Sequence, residues 1–188
     1  MLEFLYNLLF IRRDVDEIIP GLWLGNYKSA LDVSFLSKNN INVIINCTQH
    51  IPFVNQIEDE LNIDKLETYR IPVNDSLLEC DFLLMQDYFK IIIPLLLRKY
   101  TIEKKKILIH CHAGKQRSAI LTAALLKVLI DNNYIGLNNK TNVLPKNSND
   151  KNQFEYICNY ILSKRPQVFT YGLRINFEPT YKRFFKIY

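Results

Sequence analysis

KILIHCHAGKQRS, residues 106–118, joins a predicted strand to a predicted helix. The apolar run 107–109 is typical of a short buried strand, and the almost wholly apolar pattern of 119–130 is typical of a buried helix. Cys111 stands where the strand ends, and Arg117 stands where the helix begins. One strand-to-helix loop therefore carries a nucleophile at its start and a cation at its end.

This loop has the features of an anion site with a nucleophile in its floor. A helix N-terminus presents unpaired N–H groups and a partial positive charge, and a loop leading into it can surround a phosphate with N–H groups. Gly114 permits the tight, partly left-handed backbone that this needs. Arg117 adds a planar guanidinium matched to two phosphate oxygens. The same field is expected to lower the pKa of Cys111, and a thiolate facing a phosphoryl group is set for covalent phosphoryl transfer.

The segment resembles the HCx5RS signature of the cysteine-dependent protein phosphatases, and HCHAGKQRS resembles that of their dual-specificity branch. The resemblance implies a phosphate loop made of His112, Ala113, Gly114, Lys115, Gln116 and Arg117. The alternative is a buried strand cysteine beside an unrelated surface arginine, which would be favoured for the cysteine alone because free Cys is often part of a core. That alternative does not explain why strand, glycine, Arg-Ser and buried helix follow in this order.

The resemblance also implies roles for the residues around Cys111. Asp75 is the candidate general acid that protonates the leaving oxygen; it follows Ile-Pro-Val and lies 111 − 75 = 36 residues before the cysteine. An Asp in Asn-Asp-Ser is by itself more often a turn residue, and the competing acid, Asp81, is predicted to cap a helix. Ser118 is expected to hydrogen-bond the Cys111 sulfur, to cap the next helix, or both. His110 is expected to orient the loop from behind rather than act as a base.

Strands and helices alternate along the rest of the chain. Predicted strands cover 18–24, 41–47, 66–73 and 106–110, and predicted helices cover 81–100, 119–130, 153–163 and 179–185. Pro94 is expected to kink or break its helix, and 131–153 is predicted to be a long surface loop. This alternation predicts an α/β fold with a central, mostly parallel sheet of four to five strands flanked by helices, of the cysteine-phosphatase type.

The composition limits the class of the protein. Its 188 residues, 48% of them hydrophobic and 23% charged, fit one globular domain. A net charge of +5 without a stacking-aromatic motif suits phosphorylated ligands rather than nucleic acid. Four cysteines without a CxxC pair and three histidines predict no metal site, and we expect no cofactor. This cysteine usage fits a reducing compartment, so we expect the cytoplasm, and also the virion if the chain is viral.

We expect a catalytic domain at 16–188, preceded by an apolar N-terminal helix at 1–13. This helix is too short to span a bilayer and is a poor membrane anchor, so packing on its own domain or against a second copy remains open. The segments LGNYK (24–28) and EPTYKR (178–183) resemble those of the poxvirus virion phosphatases within the family. That resemblance implies an exchanged N-terminal helix, a homodimer held partly by Leu2, Leu5, Leu8 and Leu9, and a large DNA virus as the source.

The predicted function is a dual-specificity protein phosphatase that acts on phosphotyrosine and phosphoserine or phosphothreonine proteins through a phosphocysteine. Lys115 makes the loop similar to that of tensin-type phosphoinositide phosphatases, which is one alternative. RNA 5′-triphosphatases are another, although their loops usually have HCxHGxNRT. A non-catalytic phospho-binding module is the third, and such modules lose the nucleophile. Relatives that protect the nucleophile with a second cysteine imply a Cys47–Cys111 disulfide on oxidation, although Cys47 is equally plausible as core.

Overall fold

The computed structural model describes residues 13–56, 66–136, 150–169 and 175–187. The N-terminal helix predicted for 1–13 lies outside the described residues except for Arg13. So does the part of the predicted surface loop between 137 and 149.

Five strands form one sheet in the order β1-β2-β5-β3-β4. They are β1 (Val15–Ile19), β2 (Leu22–Gly25), β3 (Val43–Asn46), β4 (Glu67–Arg70) and β5 (Ile107–His110). The first two pair antiparallel across the turn at Pro20-Gly21, whereas β2, β5, β3 and β4 are parallel to one another. The predicted α/β class and the mostly parallel sheet of four to five strands are confirmed. The segment 18–24, predicted as a first strand with a turn at Pro20-Gly21, has that turn, and it comprises the end of β1 and most of β2 of a hairpin.

Six α-helices are described in addition to a 3₁₀ turn at Val54–Gln56. They are α1 (Tyr27–Leu31), α2 (Val33–Lys38), α3 (Glu79–Thr101), α4 (Arg117–Asp131), α5 (Asp150–Lys164) and α6 (Glu178–Phe185). Of the kink or break predicted at Pro94, the break does not occur, because α3 continues past it. Pro94 is exposed while Ile93 and Leu96 are buried, so packing holds the helix and water can reach the carbonyl that the proline leaves unpaired.

The two faces of the sheet carry separate cores. Val43, Ile45, Ile107 and Ile109 point into the larger core beneath α3 to α6. Their neighbours Ile44 and Leu108 point the other way, into a smaller core formed with residues of α1, α2 and the loop after β3. Burial on both faces explains why these strands are continuously apolar rather than alternating.

The parallel register brings the ends of three strands to one edge of the sheet. Asn46 pairs with His110 and with Arg70, so β3, β4 and β5 end side by side. The residues that follow these strands, including Cys47, Cys111 and the segment leading to Asp75, therefore gather at this edge. Within the described ranges, no helix is long and apolar enough to cross a membrane.

A buried ion pair fastens the end of α5 to the first strand. Arg165, just after α5, has no exposed surface and donates from Nη1 to an Asp16 carboxylate oxygen at 2.7 Å. Asp16 also accepts from the half-exposed Arg13 at 3.0 Å. Removing one partner of a buried pair is costly because the other charge stays in a poorly solvated place.

We predict that Arg165→Met lowers the free energy of unfolding by about 3 kcal/mol, since it strips the main partner from the buried Asp16. The matched control is Arg98→Met, which removes a surface pair to Glu103 from an arginine whose side chain is 63% exposed and should cost about 1 kcal/mol or less. Urea unfolding of the two variants measures both values. Equal losses would show that the buried pair has no special weight.

Candidate active site

The sulfur of Cys111 lies at the bottom of the loop that joins β5 to α4. The residue is 2% exposed, and the Ser118 hydroxyl donates to its Sγ at 3.1 Å. Burial acts to raise the pKa of the thiol, but the Arg117 charge and hydrogen bonds from the Ser118 side chain and from the backbone of Ser118 and Lys115 act against it. The net result is a pKa below the ordinary value of a cysteine, which favours the thiolate.

The loop backbone is held in one shape by a glycine that no other residue could replace without a clash. Gly114 has φ +65°, and a Cβ at this position would lie 2.5 Å from the Gly25 carbonyl oxygen. Both the left-handed backbone and the close approach of β2 therefore require glycine. Arg165, already paired with Asp16, donates from Nε to the Gly114 carbonyl at 2.9 Å.

Three further hydrogen bonds join groups of the loop to residues outside it. The His112 carbonyl accepts from the Tyr27 N–H at 3.3 Å, and the Lys115 carbonyl accepts from the Phe169 N–H at 3.1 Å. The Gln116 side chain accepts from the Asn176 N–H at 3.2 Å. Because loop carbonyls bond to groups outside the loop, N–H groups such as those of residues 115 and 118 remain directed at the sulfur, which is the arrangement an anion requires.

Arg117 links the nucleophile loop to the candidate acid. It is the first residue of α4, and its Nη1 donates to the Val73 carbonyl at 2.9 Å. Its Nη2 lies 3.5 Å from a carboxylate oxygen of Asp75, whose side chain is 38% exposed. The buried Nε makes no hydrogen bond within the described chain, so it can donate to a phosphate oxygen. The structure thus brings Cys111, Arg117, Asp75 and Ser118 together at one edge of the sheet.

His110 lies at the end of β5 beneath the loop and is completely buried. Burial lowers its pKa to about 4, against a smaller opposing effect of the Cys111 backbone. The ring is therefore neutral at pH 7, and a group with so low a pKa binds a proton weakly, so His110 is poorly suited to act as a general base.

The other loop residues differ in exposure. His112 is exposed, and its ring lies 5.2 Å from that of Tyr27, centroid to centroid. Ala113 and Lys115 are half-buried, whereas Gln116 is 3% exposed and its Nε2 has no partner among the described residues. His112 and Tyr27 therefore form part of the rim, and the Gln116 amide belongs to the wall between the loop and the segment before α6.

Sequence reasoning missed the residues that hold the loop from behind. Lys164-Arg165-Pro166 resembles a turn of the phosphatase family, but no role for Arg165 followed from that. Asp16 lies 149 residues away from it in the chain and carries no motif. Asp16 lies in β1 but outside the strand predicted at 18–24, so no pattern marked it as a buried charge that needs a partner.

Cys47 and Cys111 are both free and buried. Burial, and then the negative charge of Cys111, raise the pKa of Cys47 well above its ordinary value, so Cys47 is a neutral thiol beside the nucleophile. They follow paired residues of adjacent parallel strands. A bond between them on oxidation stays a prediction.

No cluster of three or more potential metal ligands occurs in the part of the chain that is described.

Comparison with known proteins gives the family. The family described as dual specificity phosphatase, catalytic domain, matches residues 22–133. The chain is 34% identical over 109 residues to tyrosine-protein phosphatase vhp-1 of Caenorhabditis elegans, covering 58% of this chain and 15% of that protein. It is 30% identical over 119 residues to dual specificity protein phosphatase 22 of Xenopus tropicalis, covering 62% and 50% respectively. The chain thus spans half or less of the length of these curated relatives.

Solved structures agree on the fold. A crystal structure of human DUSP28 matches with a TM-score of 0.64 at 14% identity, over 93% of this chain and 94% of that one. The Cydia pomonella PTP-2 phosphatase matches with a TM-score of 0.63 at 21% identity, over 90% and 89%. The family match includes Asp75 and the whole loop from Cys111 to Ser118, and the chain belongs to the dual specificity phosphatase catalytic domain family.

Proposed function

We propose that this chain hydrolyses phosphotyrosine and phosphoserine or phosphothreonine in proteins through a phosphocysteine at Cys111, without a metal or other cofactor. The observation that carries the proposal is the low-pKa thiolate enclosed by N–H groups and Arg117, with Asp75 3.5 Å from that arginine. Family membership supports the same chemistry.

The first step uses the thiolate as nucleophile. A phosphate dianion lies in the loop, where Arg117 and the backbone N–H groups hold its three non-bridging oxygens. The Cys111 sulfur forms a bond to phosphorus as the bond to the ester oxygen breaks. Asp75, protonated at the start, gives its proton to that oxygen, so the product leaves as an alcohol or phenol.

The second step regenerates the enzyme. Asp75, now a carboxylate, takes a proton from a water molecule that attacks phosphorus, and the S–P bond breaks. The Ser118 hydroxyl, 3.1 Å from the sulfur, stabilises the departing thiolate. Inorganic phosphate and the original thiolate result, with Asp75 again protonated.

An open rim supports the broad specificity in this proposal. Asp75 and His112 are both exposed. A deep, narrow pocket would select the long phosphotyrosine side chain, whereas an open one also admits the shorter phosphoserine and phosphothreonine. Four kinds of substrate compare the proposal with its alternatives: phosphotyrosine peptides, phosphoserine or phosphothreonine peptides, a phosphoinositide and triphosphorylated RNA. Activity confined to the phosphoinositide or to the RNA would contradict the proposed protein phosphatase.

We further propose that the chain is of poxvirus type, works in the host cytoplasm and the virion, and forms a homodimer through residues 1–13. The support is the resemblance of LGNYK and EPTYKR to poxvirus virion phosphatases, together with the apolar character of residues 1–11. An apolar segment of this kind favours burial, and exchange of identical elements is a low-cost route to a two-fold dimer.

Cys111→Ser should abolish turnover of 4-nitrophenyl phosphate while phosphate binding persists, because the cradle remains and only the nucleophile is lost. Arg117→Lys should lower kcat/KM by about 100-fold or more, since an ammonium cannot make the two-point contact to phosphate. Cys80→Ser, at an exposed cysteine, is the matched control and should keep wild-type rates. Wild-type turnover by Cys111→Ser, or complete inhibition by chelators, would contradict the mechanism.

Asp75→Asn should lower kcat by about 100-fold or more on phenyl phosphate, whose leaving group needs a proton. The loss on 4-nitrophenyl phosphate should be much smaller, because nitrophenolate leaves without help. Asp87→Asn, at an exposed carboxylate paired with Lys90, is the control and should leave both rates unchanged. Equal losses on the two esters would assign Asp75 a structural role instead.

Deleting residues 1–13 should convert a dimer into a monomer that still hydrolyses 4-nitrophenyl phosphate, because the catalytic loop lies elsewhere in the chain. Light scattering at micromolar concentration measures the mass. Ile91→Ser is the control for an exposed apolar side chain outside this segment, with 69% exposure, and should remain dimeric. A monomeric mass for the intact chain would refute the proposed dimer.

A further inference from the structure

The loop that carries Asp75 is fastened to the first turn of α3. Asp81 is 4% exposed, and one of its carboxylate oxygens accepts both the backbone N–H of Ser76 at 3.0 Å and the Ser76 hydroxyl at 2.5 Å. Ser76 is the residue directly after the candidate acid. The prediction that Asp81 is the N-cap is wrong, because α3 begins at Glu79 with Leu78 as its cap. The carboxylate instead bonds to Ser76, on the loop before α3 that carries Asp75, which we call the acid loop.

The backbone at this point needs such a fastening. Leu77 has φ +63°, a left-handed conformation that costs a non-glycine residue free energy, and its side chain is 47% exposed. Burial of the leucine therefore does little to hold this conformation. The two hydrogen bonds from Ser76 to a charged acceptor offset the strain, since hydrogen bonds to ionised groups are the stronger ones.

The first turn of α3, which carries Asp81, is itself held by contacts to α6 and to the residue before it. Thr180 of α6 donates to the Phe82 carbonyl at 3.0 Å, and Arg183 of α6 pairs with Glu79 at 2.5 Å. The rings of Phe82 and Phe177 also meet edge to face at 5.4 Å. The first turn of α3 is thus tied to α6 and to Phe177, and Asp81 lies on a helical turn that these contacts hold in place.

The second contact that holds Asp75 is its ion pair with Arg117, and a bound substrate weakens that pair. Asp75 lies 3.5 Å from Nη2 of Arg117, but a bound phosphate competes for that same guanidinium. Protonation of Asp75, which general-acid catalysis requires, also removes the charge that favours this contact. The tie from Asp81 to Ser76 involves neither the phosphate nor Arg117, so it persists when the acid has to act.

We infer that Asp81 is a positioning residue for the general acid: it keeps Asp75 over the leaving oxygen after phosphate has taken Arg117. The inference rests on the proposed phosphatase function and extends it to a residue outside the phosphate loop. Because Asp81 acts through Asp75, its loss should be largest for esters whose leaving group needs the proton that Asp75 donates, since the later proton transfer from water to Asp75 is common to all esters.

The test is a leaving-group comparison on Asp81→Ala and on the milder Ser76→Ala, which loses the hydroxyl contact but keeps the N–H. Asp81→Ala should lower kcat on phenyl phosphate by about 10-fold to 100-fold, the effect of misplacing a catalytic group by about 1 Å. On 4-nitrophenyl phosphate the loss should be about twofold. Ser76→Ala should show the same pattern at smaller size. Asp87→Asn, at an exposed carboxylate further along α3, is the control and should show no difference between the esters.

A double-mutant cycle separates positioning from general structural damage. In an Asp75→Asn background, Asp81→Ala should lower kcat on phenyl phosphate by less than about twofold, because the group that it positions is already absent. The inhibition constant of inorganic phosphate should stay within about twofold of wild type, since the phosphate loop does not contact Asp81. Additive losses, or equal losses on both esters, would overturn the inference, and Ser76→Ala supplies the same comparison if Asp81→Ala does not fold. Absence of Cys111-dependent turnover in the wild-type chain would instead overturn the proposed function itself.

Discussion

The site depends on the hydrogen bonds that the buried guanidinium of Arg165 makes. It bonds the Gly114 carbonyl with one nitrogen and the Asp16 carboxylate with another, and it has no exposed surface. A strand at one edge of the sheet, the end of α5 and the middle of the nucleophile loop are therefore joined through one group. Because the pair is buried, none of the three can move without exposing an unpaired charge.

The electrostatics of the nucleophile follow from that fixed loop. A buried thiol resists ionisation, and Cys47 beside it shows this, since burial raises its pKa. Cys111 is buried to the same degree, yet its pKa is lowered, because Arg117 and the hydrogen bonds from Ser118 and Lys115 outweigh the desolvation. The two cysteines directly follow adjacent strands, so the difference between them comes from the loop rather than from depth. A field that stabilises a thiolate also stabilises a phosphate dianion in the same place.

The sequence was sufficient for the parts of the protein that depend on local pattern. The apolar runs predicted β3, β5 and α4, and the spacing from Cys111 to Arg117 predicted the loop between them, because each needs only neighbouring residues. Long-range contacts were beyond reach: nothing near Asp16 or Arg165 names the other as its partner. Pro94 shows a second limit, since tertiary packing kept α3 intact against the local preference. Asp81 was expected to cap α3, because it lies near the start of that helix. Its carboxylate bonds instead to Ser76, on the loop that carries Asp75.

The fold lowers the pKa of Cys111 and so favours its thiolate inside an anion site. The most direct measurement is the pH dependence of iodoacetate alkylation at Cys111, resolved by peptide mass spectrometry, with the exposed Cys80 as an internal reference. We expect an inflection for Cys111 below the usual cysteine pKa of about 8.5, and slower alkylation when inorganic phosphate is present. An inflection at or above that of Cys80, with no protection by phosphate, would contradict it.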